Sequence, residues 1–135
     1  MERDNHCFGC GADNAAGLRL TFEAGPDGTV RSTCVIQDRF QGYHGVVHGG
    51  ILATLLDEVM AHAVLRAGKG NAATAQLEIR YRRPARVGET LRLEAAVARA
   101  SGRRIHAEGR ICGEDGSVRA EGEALFLRVE KPTSR

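Results

Sequence analysis

One stretch of this 135-residue chain carries the three-to-four spacing of a long helix, and nearly everything around it alternates apolar with polar. The helix opens at Gly49-Gly50 and is expected over 49–67, stopped by Gly68-Lys69-Gly70. Alternation predicts strands at 18–23 and 29–36, joined by the turn Gly25-Pro26-Asp27-Gly28. Further strands follow at 73–82, 90–100 and 104–112, and at 117–129 after the turn Glu114-Asp115-Gly116. In the last of these Val118, Ala120, Gly122, Ala124 and Phe126 share one face. Residues 37–47 hold no stable period and read as a loop. A sheet with one helix to cover it must curl around that helix or keep an apolar face open for a partner. The expectation is one α+β domain over 1–135, with an amino-terminal segment at 1–17 and a frayed tail at 130–135.

Composition narrows the function classes. The chain is 42% hydrophobic and 27% charged, as in ordinary globular domains, and long enough to bury a core without disulfides or metal. A net charge of +2 gives no ground for nucleic-acid binding, and no apolar run approaches a membrane span of roughly 20 residues. The start, Met1-Glu2-Arg3-Asp4-Asn5-His6, lacks an apolar signal-like run, so a cytoplasmic location is expected. Cys7, Cys10, Cys34 and Cys112 are then expected as free thiols. Cys7-Phe8-Gly9-Cys10-Gly11 admits three readings: a structural metal, redox chemistry, or a tight glycine turn packing two small thiols. The metal reading lacks a second ligand pair, since His6, Cys34 and Cys112 stand at no recognisable spacing, although two chains together would offer two pairs. The turn reading is preferred, and no metal or cofactor is assigned.

The helix itself carries the chemistry. In His48-Gly49-Gly50-Ile51-Leu52-Ala53-Thr54-Leu55-Leu56-Asp57-Glu58, acids sit inside a strongly apolar segment, which is costly away from water unless the acid is paired or used. Glu58 lies in a row with Thr54, His62 and Arg66, a polar stripe expected to face solvent or a wet interface. Asp57 has Ala53, Met60, Ala61 and Val64 around it and is the drier of the two, hence the candidate base. Glycines at the helix start let a ligand approach unpaired first-turn N–H groups, an arrangement suited to an oxyanion. Close packing of the helix on the sheet is the alternative explanation of Gly49-Gly50, and the acid at Asp57 weighs against it.

His48-Gly49-Gly50 with Asp57 nine residues after the histidine, followed by Thr74-Ala75-Gln76-Leu77 and Tyr81-Arg82-Arg83-Pro84, resembles hotdog-fold acyl-CoA thioesterases of the PaaI-like group in the 4HBT superfamily. The leading Cys7-Phe8-Gly9-Cys10-Gly11 and Gly17-Leu18 resemble one branch of that group. The resemblance covers nearly the whole chain. It implies a long central helix wrapped by a curved antiparallel sheet of about five or six strands, with chains paired into homodimers and often into dimers of dimers. It also implies a helix acid that attacks the thioester or activates water, a glycine N–H that holds the carbonyl oxygen, and a strand hydroxyl that holds the acid. Residue by residue these are Asp57, Gly49 and Thr74, with Gly50 beside them as a binder. His48 reads equally as a group that orients the loop or bonds the thioester and as a helix cap. Related enzymes often carry Asn or Gln six residues before this histidine. Here that position is Gly42, and Gln41 precedes it as a candidate binder.

Coenzyme A, as part of an acyl-CoA substrate, brings phosphates that arginines suit. Arg82 and Arg83, beside Pro84, are candidates for the mouth of the site, while Arg80 reads as a solvated sheet residue. Gly49 and Asp57 are eight residues apart on one helix, roughly 12 Å at about 1.5 Å per residue, too far to share one carbonyl. If both act in one hydrolysis, the carbonyl lies between two chains. The reading is a thioester hydrolase with composite sites, needing no metal and no partner among nucleic acids or membranes. A non-catalytic acyl-CoA binder and a hotdog hydratase or dehydratase remain the alternatives.

Overall fold

A computed structural model describes residues 5–68 and 70–129. The expected tail at 130–135 lies outside them, as do Lys69 of the helix stop and the first four residues. Six strands and one long helix follow in the order β1 (Glu23–Ala24), β2 (Val30–Val35), α1 (Gly49–Arg66), β3 (Ala72–Tyr81), β4 (Thr90–Ser101), β5 (Arg104–Cys112) and β6 (Val118–Arg128), with a 3-10 turn at Asp38–Phe40 before the helix. The strand pairings are antiparallel, in the order β1-β2-β4-β5-β6-β3. This is the hotdog fold, with α1 packed on one face of the sheet. Among the described residues no helix is long and apolar enough to cross a membrane.

The helix forms because its apolar residues recur at helical spacing: Leu52, Leu55, Leu56, Val59, Met60, Ala63 and Val64 are all buried. They join Leu91, Leu93, Ile105, Ile111 and Phe126 of the strands in one core, where each large side chain withdrawn from water contributes about 1.5–3 kcal/mol. Two glycines relieve crowding in the middle of the sheet, one against the helix and one against the neighbouring strand. Gly109 and Gly122 stand opposite each other on β5 and β6. A Cβ on Gly109 would come 3.1 Å from Met60 of the helix, and one on Gly122 would come 3.0 Å from the Glu78 carbonyl of β3.

The strand expected at 18–23 shrinks to Glu23–Ala24. Arg19 is left-handed, with φ 52°, which breaks an extended run. Leu18 and Leu20 donate their backbone N–H groups to the carbonyls of Phe8 and Gly9, at 2.8 and 2.9 Å, instead of to a sheet neighbour. The segment therefore folds back on the amino-terminal turn. Together, turn and segment cover part of the helix stripe expected to face water. Glu58 lies against Gly9, His62 stacks on Phe22 at 4.0 Å between ring centroids, and Arg66 donates to the Phe22 carbonyl at 2.9 Å. Glu58 is thus a half-covered group, not a solvated one, because a helical wheel contains no information about a distant segment lying over it.

The face of the sheet turned away from α1 is charged. Arg31, Glu94, Arg110 and Glu121 follow one another across β2, β4, β5 and β6, and Arg80 continues the row on β3. Glu94 pairs with both Arg31 and Arg110. Exposed pairs of this kind contribute little, about 0–1 kcal/mol each, and keep the face wet.

Candidate active site

Asp57 sits midway along α1 on the side facing β3, and the Thr74 hydroxyl of β3 donates to its Oδ1 at 2.7 Å. A local irregularity makes this contact possible. Counted back from Leu77 and Ile79, simple alternation would turn Thr74 away from the helix. The β3–β6 register slips between Thr74 and Gln76, so Thr74 stands opposite buried Phe126 and faces α1. With Oδ1 held by the hydroxyl, Oδ2 is the oxygen left to approach a ligand.

Eight residues toward the amino terminus, the helix start is built around His48. Its Nδ1 accepts the N–H of Gly50 at 2.8 Å, which makes His48 the helix cap and assigns the proton of the neutral ring to Nε2. The Gly50 amide is thereby engaged. The Gly49 N–H has no acceptor among the described residues and stands at the positive end of the helix. Tyr81, at the far end of β3, donates its hydroxyl to the Gly49 carbonyl at 2.8 Å. β3 therefore grips α1 twice, at Asp57 through Thr74 and at Gly49 through Tyr81. No motif singles out Tyr81 in this role, although alternation places it on the same strand face as Ile79. Tyr81→Phe is expected to lower stability by about 0.5–1.5 kcal/mol, seen as a drop of a few degrees in Tm.

The other expected binders are more scattered. Gln41 uses its side-chain oxygen to accept from the Gly45 N–H at 3.0 Å, bracing the loop before His48. A Cβ at Gly42 would lie 3.4 Å from His48 Cα, so the residue type at 42 sets what lies against the cap. Arg82 is committed to Glu121, Nη2 to Oε1 2.6 Å, which draws it to the outer face instead of the helix start. Arg83 is exposed near Asp115, whose carboxyl is held below its usual range first by the Ser117 amide and hydroxyl, then by Arg119 and Arg83. Three surface concavities leave Asp57, Thr74 and Gly49 outside their walls, and the roomiest of the three lies among the charges of the outer face.

All four cysteines are free thiols. Burial pushes the Cys34 thiol up to about 11. Cys10 is pushed up to about 12, by burial first and then by the nearby Glu58 carboxylate and Cys7.

A long helix wrapped by an antiparallel sheet, with a strand hydroxyl on the helix carboxylate, is the arrangement that the family resemblance implies. Residues 44–120, more than half of the chain, match the Thioesterase superfamily, and the chain belongs to that family. It is 30% identical over 103 residues to acyl-coenzyme A thioesterase THEM4 of Xenopus laevis, covering 73% of this chain and 46% of that protein. Among solved structures, the thioesterase superfamily protein RHA08564 is 38% identical with a TM-score of 0.87, over 92% of this chain and 61% of the other. A phenylacetic acid degradation-related protein of Ralstonia eutropha JMP134 is 28% identical with a TM-score of 0.74, over 82% and 86%. The chain spans about half or less of the length of the curated relatives it matches.

Proposed function

We propose that this protein is an acyl-CoA thioesterase of the PaaI-like group, hydrolysing an acyl-CoA to the free acid and coenzyme A. The observation that carries the reading is the Thr74–Asp57 hydrogen bond, which fixes one oxygen of a helix carboxylate and leaves the other to act. The name of the Xenopus relative supplies the substrate class.

In the proposed mechanism Asp57 either takes a proton from water as it attacks the thioester carbonyl or attacks that carbonyl itself, giving an anhydride that water then opens. Negative charge developing on the carbonyl oxygen is met by the Gly49 N–H and the positive end of α1. The coenzyme A sulfur leaves as a thiolate when the tetrahedral intermediate collapses, and takes up the proton that Asp57 removed from water or, on the anhydride route, one from solvent. Because Gly49 and Asp57 are roughly 12 Å apart along α1, one carbonyl reaches both only where two chains meet. β3, which carries Thr74, is an edge strand and leaves one side of its backbone open for a second copy. We therefore assign the active species as a homodimer with two equivalent composite sites, with pairing into tetramers compatible with the same arrangement. We assign the protein to the cytoplasm, where thiols such as Cys7, Cys10, Cys34 and Cys112 stay reduced. The amino-terminal Cys7-Phe8-Gly9-Cys10-Gly11 marks the branch of the group to which we assign the chain.

A panel of acyl-CoA substrates with release of free coenzyme A as the readout tests the reading. Turnover by the native protein supports it, while tight binding without turnover makes the protein a binder. Thr74→Val, which keeps a branched strand residue but removes the hydroxyl, is expected to lower kcat about 10- to 100-fold, and Thr74→Ser to restore most of it.

A further inference from the structure

The amino-terminal turn brings together three groups that thioester hydrolysis does not use. Gly11 closes the turn by donating its N–H to the Cys7 carbonyl at 2.8 Å. The turn rests directly on the helix: a Cβ at Gly9 would meet the Glu58 side chain, so a larger residue there would displace that carboxylate. Cys7 Sγ is 3.6 Å from Glu58 Oε1, across 51 residues of sequence. One ligand atom from each of Cys7, Cys10 and Glu58 lies within 4.8 Å of the others. All three residues are half-buried.

We infer that Cys7, Cys10 and Glu58 form a site for a divalent, thiophilic cation of the zinc class, which fastens the amino-terminal turn to α1. Two cysteines separated by two residues match the spacing such ions use, and a carboxylate oxygen is an accepted third ligand. Zinc–sulfur bonds of about 2.3 Å put tetrahedral ligands roughly 3.5–3.8 Å apart, so a contraction of about 1 Å closes the observed cluster around an ion. Water takes the fourth position. On binding, each thiol releases its proton to solvent and becomes a thiolate, and the ion replaces the Cys7 to Glu58 hydrogen bond. No electrons are exchanged. Sulfur ligands select zinc-class ions over magnesium or calcium. The site does not depend on whether Asp57 acts on a thioester.

The test uses cobalt(II) as a spectroscopic stand-in, added to the reduced, metal-free full-length protein. One cobalt per chain is expected, with sulfur-to-cobalt charge-transfer bands and the strong visible bands of a tetrahedral ion, both lost when zinc is added in equal amount. Glu58→Gln, which preserves shape and leaves both sulfurs, should keep the charge-transfer bands while weakening binding by at least about 10- to 100-fold. Cys10→Ser should lose the site. Absence of charge-transfer bands in the native protein would overturn the proposal, as would equal affinity in native and Glu58→Gln proteins.

Discussion

Asp57→Asn is expected to lower kcat for acyl-CoA hydrolysis by about 10²- to 10⁴-fold, with KM changed little. Asparagine has nearly the shape of aspartate, and the Thr74 hydroxyl can still donate to its side-chain oxygen, so the β3–α1 contact survives. What disappears is the ability to accept a proton or attack a carbonyl. At about 1.36 kcal/mol per decade, the loss corresponds to roughly 3–5 kcal/mol of transition-state stabilisation. Steady-state kinetics beside thermal unfolding checks both halves of the expectation. A variant that unfolds at the native temperature but turns over within tenfold of native would remove Asp57 from the chemistry.

The second large effect is expected at the start of the same helix. Gly49 is the first residue of α1, where proline is well tolerated because its missing N–H would have no helical acceptor. His48, with φ −58° and ψ 135°, already has the extended backbone that a following proline requires. Gly49→Pro therefore deletes the proposed oxyanion donor without breaking the helix, and kcat should fall about 10²- to 10³-fold while Tm stays within a few degrees. The two variants also test the composite site. Each dimer mixed from Asp57→Asn and Gly49→Pro chains holds one site with both native groups and one with neither. After free exchange of equal amounts, half the dimers are mixed, so about a quarter of native activity should return. If activity stays at the level of the separate variants, the two groups do not meet across a dimer.

Where local pattern decides structure, the sequence is a sound guide. The helix expected over 49–67 is Gly49–Arg66, and the strands expected at 90–100 and 104–112 are Thr90–Ser101 and Arg104–Cys112. Asp57 and Thr74, which the family resemblance pairs, are 2.7 Å apart at their oxygens. Long-range packing is not legible in this way. Leu18 to Glu23 alternates, yet the left-handed Arg19 and the backbone bonds to Phe8 and Gly9 divert it. Counting neighbours along the helix puts Glu58 in a solvated stripe, but the turn that covers it comes from 51 residues away. The same blindness to distance hides the third group beside Cys7 and Cys10. Arg82 stands next to the proline that ends its strand, as the mouth of a site would ask, but a cross-strand partner, Glu121, claims it.

The slip in register at Ala75 means that the hydroxyl beneath Asp57 is specified by a reading frame as much as by a residue. Thr74 is flanked by Ala73 and Ala75, neither of which could hold the carboxylate, so moving β3 one step along β6 would break the Thr74–Asp57 contact of the proposed site with every residue still present. Evolutionary drift is therefore more dangerous here as a one-residue insertion or deletion within that rim strand than as most substitutions on it.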